Sequence, residues 1–462
     1  MDQRTEDASI GQRLLWFLGR YRGENGSLNC PTLCKLRGPL DVEGLQAAIS
    51  DVVARHESLR TTIVGTGRRL KQVIAATVER PLTVIDLSAE QDPDAAVRSR
   101  ITDELSTPID ASVDAVRLTL WRLAPEESVL CINMHHFITD SWSCGIVFDD
   151  LCIALDRRQG GSRQFAPAAW SYAEFARQQA EDLSGAELRR LSDHWKKQLK
   201  GISLPKIPMK PATSSNGGYR PTARVQAALD PQCVEALREQ ARGWRTTLFV
   251  LLLTAYYWTI SQLTDQTDIT VASLFANRRH EPARRTVGFC ANMVLLRVAL
   301  QPTKPFRDAV QVTHASVVSG FINQALPFQM LPLPSSSTQN RPDDIVFQML
   351  AEPVYTTTSG ALEIEVLVPD DVSTRFEIEL VVVPRERDVE VIVFYAEDRV
   401  DQAVAQSILD NFLKVCRDVA TDQPIRLRDA AGNRWPRLAQ PSGSQQEPHQ
   451  EPQPEQSTGA AW

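Results

Sequence analysis

The chain of 462 residues has no two cysteines separated by two residues, no apolar run long enough to cross a bilayer and no surplus of positive charge. Its eight cysteines stand at 30, 34, 131, 144, 152, 233, 290 and 416. That scatter makes neither a zinc ribbon nor a CxxC redox motif, and it reads as reduced thiols. The most apolar stretch, Thr246 to Ile260, is shorter than the roughly 20 residues of a membrane-spanning helix, so a buried helix is expected. A net charge of -7 offers no basic field to a phosphate backbone, and nucleic acid is not an expected partner. The N-terminal MDQRTEDAS lacks the basic and apolar regions of a signal peptide. A cytoplasmic location with no membrane partner is expected. The chain has no HExxH, no GxSxG, no phosphate-binding P-loop and no GxGxxG after a strand.

Histidine is scarce at seven residues, yet two are adjacent in INMHHFITDSWSCGIVF, Ile132 to Phe148. The alternation from Val129 to Met134 predicts a strand, and Gly145 to Leu155 reads as a helix. His135, His136 and Asp140 therefore sit where a strand hands over to a helix, a position where rigid elements on both sides fix a side chain. By itself HxxxD is equally a core histidine bonded to a neighbour. A metal reading lacks a third ligand, so no metal is expected. Cys144, close by, is read as a small core residue rather than a nucleophile.

The rest of the chain alternates helices and strands, an α/β (α+β) pattern. Helices are expected over 42–56, 171–199, 232–242, 246–263, 306–321 and 400–419. Strands are expected at 271–273, 293–300, 345–350, 362–368, 376–383 and 389–395. The length suits two domains. Lys200 to Pro221, rich in Pro, Ser and Gly, reads as a linker between a lobe at 1–199 and a lobe at 222–435. The polar tail at 436–462 is expected to be disordered.

Several ordered motifs resemble those of the condensation domains of nonribosomal peptide synthetases. His135, His136, Asp140, Trp142 and Ser143 resemble HHxxxDGWS. Ser9 to Leu18 looks like SxAQxRLWFL. Arg37 to Asp41 with Arg55 to Thr61 looks like LxGxLD…RHExLRT. Tyr172 and Phe175 partly match YxDYA, Arg278 stands at the family's Gly-Arg pair, and Val287 to Asn292 with Leu296 and Arg297 resembles GxFVNTxxLR. Asn323, Gln324, Pro327 and Phe328 match HQDYPFE in part. The similarity runs from about residue 9 to 430.

The resemblance implies two chloramphenicol-acetyltransferase-like lobes in a V-shaped pseudo-dimer, with an active-site tunnel between them. The implied reaction joins a carrier-bound acyl thioester to a nucleophile, which requires orientation, one proton acceptor and oxyanion stabilisation. His136 is implied as the base toward the acceptor or as its positioner, and His135 as structural. Asp140 is either a second acid–base group or the buried partner of Arg278. The helix start near Gly145 could supply oxyanion donors. Ser141 replaces the family's glycine and either narrows the tunnel or changes nothing. Arg60 is a positive group near the tunnel or a tie between a helix and the next strand. Trp142, Ser143 and Asn292 are expected to line the tunnel, with Trp142 and Trp16 weighed also as core aromatics and His56 as structural.

No adenylation signature or carrier serine motif accompanies the chain, so a free-standing condensation enzyme is expected. No cofactor is expected on the protein itself. The donor would ride on the phosphopantetheine of a discrete peptidyl carrier protein, and the acceptor would be a small molecule. Enediyne antibiotic assembly is one pathway type with free-standing relatives. The competing readings are a carrier- or coenzyme-A-dependent acyltransferase and a degenerate domain that recruits partners.

Overall fold

Two six-stranded mixed sheets carry the chain in the computed structural model, whose described residues are 3–22, 28–167, 170–211, 222–333, 341–350, 356–367, 376–385, 388–423 and 425–427. The first sheet runs, edge to edge, Thr356–Ser359, Leu362–Leu367, Asn29–Arg37, Glu127–His135, Val116–Ala124 and Thr83–Asp86. The second runs Asn292–Ala299, Asp268–Phe275, Ile345–Met349, Ile378–Pro384, Val389–Ala396 and Thr222–Leu229. A three-stranded sheet of Gln3–Asp7, Lys71–Ala75 and Thr61–Val64 stands beside them.

The apolar run that is too short for a membrane becomes the helix Leu248–Thr264, buried on every side from Val250 to Ser261. It packs with the helix Gln402–Ala420 in the core of the second sheet. Among the described residues no single helix is long and apolar enough to cross a membrane. On the first sheet, the helices Val42–Arg55 and Ser141–Arg158 cover one face and bury Leu45, Ile49, Val52, Ile146, Val147 and Leu151. The expected helix at 171–199 is two, Tyr172–Asp182 and Gly185–Gln198.

One pairing departs from the expected split. The hairpin Thr356–Leu367 lies in the range assigned to the second lobe, yet Glu363 to Leu367 pair antiparallel with Arg37 to Leu33 in the first sheet. Strand partners are chosen by tertiary contacts, which a linear reading does not contain. The hairpin turns on a two-residue loop with Gly360 at φ 56. Residues 200–211 of the expected linker form no helix or strand and lie against the second half of the chain: the Lys210 N–H donates to Arg399 O at 2.7 Å. Residues 212–221 and the tail at 436–462 lie outside the described residues.

Candidate active site

The strand that ends in the histidine pair is central in its sheet, so its terminus is held from both sides. His135 is paired in register with Asn29 and is buried. Its Nδ1 accepts the Phe137 N–H at 3.0 Å, and its ring packs on Phe137 with centroids 4.5 Å apart. Burial, offset in part by Asp110, lowers its pKa to about 4, so the imidazole is neutral near pH 7.

His136 is half-buried and stands outside that core. Its Nδ1 lies 3.1 Å from the Thr139 carbonyl. A carbonyl only accepts, so the proton sits on Nδ1 and the basic lone pair on Nε2. The ring of Phe289 meets it edge-on, with centroids 5.7 Å apart. The backbone N–H of His136 donates to Leu28 O at 2.8 Å. The Thr139 carbonyl thus sets the tautomer of the ring and Phe289 packs against it, while the Leu28 carbonyl anchors the main chain.

Asp140 caps the helix Ser141–Arg158, which begins four residues before the expected start at Gly145. Its carboxylate accepts five hydrogen bonds: from Ser143 N at 2.8 Å, from both Nη atoms of Arg278 at 3.0 Å, and from Cys290 N and Ala291 N at 3.0 and 2.9 Å. Burial alone would raise this carboxyl; the Arg278 guanidinium and the donors around it win and hold it below the usual range. Arg278 also donates to Ser143 Oγ at 2.8 Å and to the carbonyls of Ala276 and Thr286 at 3.1 Å. Ser143, fully buried, donates to Gly288 O at 2.9 Å and accepts the Gly288 N–H at 3.0 Å. Its hydroxyl belongs to this clasp rather than to a substrate surface.

A second clasp was not read from the sequence. Asp150, on the same helix and 0% exposed, accepts from Arg55 Nε at 2.8 Å, His56 Nε2 at 2.8 Å and Arg285 Nη2 at 3.1 Å. The available signal was an acid on the same helical face as Ile146, Val147 and Ala154. Arg278 and Arg285 belong to one connection, 276–291, between two neighbouring strands of the second sheet. Tyr172 reinforces it by donating to Phe289 O at 2.7 Å.

The other expected residues divide. Ser141 is the exposed first residue of the helix and is not among the positions with positive φ, so glycine's freedom is not required there. Trp142 is 38% exposed, not a core aromatic; its Nε1 donates to Arg284 O at 2.9 Å. Arg60 donates to Ala75 O, a tie to the strand Lys71–Ala75 made through a carbonyl rather than an ion pair. Asn292 is buried and spends its amide on Gln324 O, Leu326 O and the Phe328 N–H at 2.7 to 3.0 Å, which does not leave it as a tunnel-lining group. Of the backbone N–H groups at the start of the helix Ser141–Arg158, that of Ser143 is spent on Asp140. Among the described residues no cluster of three His, Cys, Asp or Glu is arranged to hold a metal ion.

The three polar side chains of the motif differ in what surrounds them. Asp140 is a saturated anion and His135 an inward-facing neutral ring. His136 alone of the three sits half-buried with its basic nitrogen defined. The model of the family described as Condensation domain matches residues 3–430. The chain belongs to the condensation-domain family. Condensation domains are acyltransferases that form amide bonds in nonribosomal peptide synthesis, and this one has their chloramphenicol-acetyltransferase-like fold. It is 30% identical over 352 residues to malpibaldin synthetase of Mortierella alpina, a match covering 74% of this chain and 6% of the synthetase. The condensation domain thus spans a small fraction of the length of such a relative. In structure it is similar to SgcC5 from Streptomyces globisporus, solved with an aryl ethanediol and sucrose (22% identity, TM-score 0.76, 91% of this chain and 100% of that one). It is also similar to the X-domain of teicoplanin biosynthesis in complex with OxyB (23% identity, TM-score 0.76, 93% and 95% covered).

Proposed function

We propose that this condensation domain is a free-standing enzyme of natural-product biosynthesis. It moves an acyl or aminoacyl group from the phosphopantetheine thioester of a separate peptidyl carrier protein to a small-molecule amine or alcohol. The acceptor attacks the thioester carbonyl, the C–S bond breaks, and an amide or ester forms. The proton released by the acceptor passes to His136 Nε2 and leaves with the carrier thiol. The thioester is already activated, so no covalent enzyme intermediate is needed and the work is positioning and proton acceptance. The substrates meet in a tunnel between the two lobes.

The observation that carries this reading is the division of labour between Asp140 and His136. The carboxylate is consumed by five donors, whereas the imidazole is held through Nδ1 with Nε2 as its basic atom. The test is a mass-spectrometric assay with acyl and aminoacyl groups loaded on a discrete carrier protein and amine and alcohol acceptors supplied. Product that requires both the carrier and His136 supports the proposal and identifies the bond. Equal turnover with free acyl-coenzyme A replaces it with a carrier-independent acyltransferase. Binding of a carrier or enzyme partner that is unaffected by His136→Ala, with no product for any pair, replaces it with a recruiting domain.

A further inference from the structure

The thiols of Cys30 and Cys144 lie 3.6 Å apart, across 114 residues of sequence. Cys30 is on the strand Asn29–Arg37 and Cys144 is in the first turn of the helix capped by Asp140. Both residues are half-buried, while the other six cysteines are buried. The same Cys144 Sγ touches Thr139 Oγ1 at 3.6 Å, and the Thr139 carbonyl holds His136 Nδ1. Contact with the Cys30 thiol also makes Cys144 easier to ionise, whereas burial pushes the thiols of Cys152 and Cys290 up to about 12.

We propose that Cys30 and Cys144 form a redox-sensitive thiol pair, a site of reversible disulfide formation by hydroperoxides that repositions the His136 loop. The Cys144 thiolate attacks the peroxide, giving a sulfenic acid and one molecule of water or alcohol. The Cys30 sulfur then attacks the sulfenic sulfur and a second water leaves. Two thiols lose two electrons to the peroxide, and a small dithiol reverses the change by thiol–disulfide exchange. A sulfur–sulfur bond of about 2.05 Å requires the two atoms to close by roughly 1.5 Å, which pulls Cys144 off Thr139. The inference rests on side-chain geometry and not on the acyl-transfer reading, so each can fail without the other.

The test uses the whole protein, reduced and then treated with hydrogen peroxide. Native mass and peptide mapping are expected to show a loss of about 2 Da and a Cys30–Cys144 crosslinked peptide that dithiothreitol removes. Cys30→Ser is expected to abolish the crosslink and leave Cys144 oxidised by about 16 Da or more. Diethylpyrocarbonate labelling of His136 is expected to change several-fold between reduced and oxidised wild type, with His280 unchanged. A crosslink between any other pair, or single-site oxidation of the wild type with no crosslink, overturns the site. Equal labelling of His136 in both states overturns its link to the loop. Both measurements are made on wild type, so they stand if Cys30→Ser does not fold.

Discussion

Thr139 holds His136 by its backbone: the carbonyl of the one lies 3.1 Å from Nδ1 of the other, so the tautomer of the imidazole is set by a main-chain atom that no side-chain substitution at 139 removes. His136→Ala is therefore expected to cost acyl transfer about 10²- to 10⁴-fold, the usual contribution of a positioned general base. The residue is half-buried and outside the core, so the thermal midpoint should stay close to wild type. Single-turnover transfer beside a melting curve checks both halves.

Asp140 behaves differently because its partners are buried. Asp140→Ala leaves the Arg278 guanidinium without its counter-charge and is expected to cost about 3–5 kcal/mol of stability. The double variant with Arg278→Met should recover part of that, because the stranded charge is gone. Urea unfolding of the two single variants and the double gives the coupling. A loss of activity at Asp140→Ala with unchanged stability would instead make the carboxylate a participant in the chemistry.

His135 predicts an acid-side loss of stability. Its pKa falls from 6.5 to about 4 on folding, so between those values the unfolded chain binds the extra proton and acidification favours unfolding. The contribution is fully present above pH 6.5 and is lost as pH drops toward 4, about 3 kcal/mol in all. Asp140 adds a loss of the same sign at lower pH, below the ordinary carboxylate range. Denaturant midpoints measured across this range should slope downward for wild type, and His135→Asn should flatten the upper part.

Gly288 tests the connection that carries both arginines. A Cβ placed there would lie 2.0 Å from Tyr172 Cδ2, and the Tyr172 hydroxyl is already committed to Phe289 O and Ser9. Gly288→Ala is expected to cost about 1–3 kcal/mol by overpacking and to lower transfer through Ser143 and Arg278. Tyr172→Phe in the same background should not rescue it, because the clash is with the ring.

The local elements were largely legible. Helical spacing over 42–56 and 400–419 gave elements close to those observed, because that pattern arises from burying one face, and the apolar run at 389–395 gave a strand buried at nearly every residue. The start of the helix at Ser141 was missed because Ser, Trp, Ser and Cys make a weak helical turn whose cap is the very aspartate read as chemistry. Asp150 stands beside Asp149 in the same helix; its three partners come from positions 55, 56 and 285, and no local signal joins them. Asn292 falls inside a matched motif, yet only the path of residues 324–328 shows that its amide is used up.

The hairpin Thr356–Leu367 has a consequence for how the protein is made. A ribosome releases the strand Asn29–Arg37 long before the hairpin that completes its sheet. Until then the strand offers a bare edge of N–H and C=O groups to any other chain nearby. The nascent first half is thus expected to wait, incompletely folded, for the last quarter of the sequence. Residues 1–211 expressed alone should aggregate, and supplying 222–435 in trans should restore solubility.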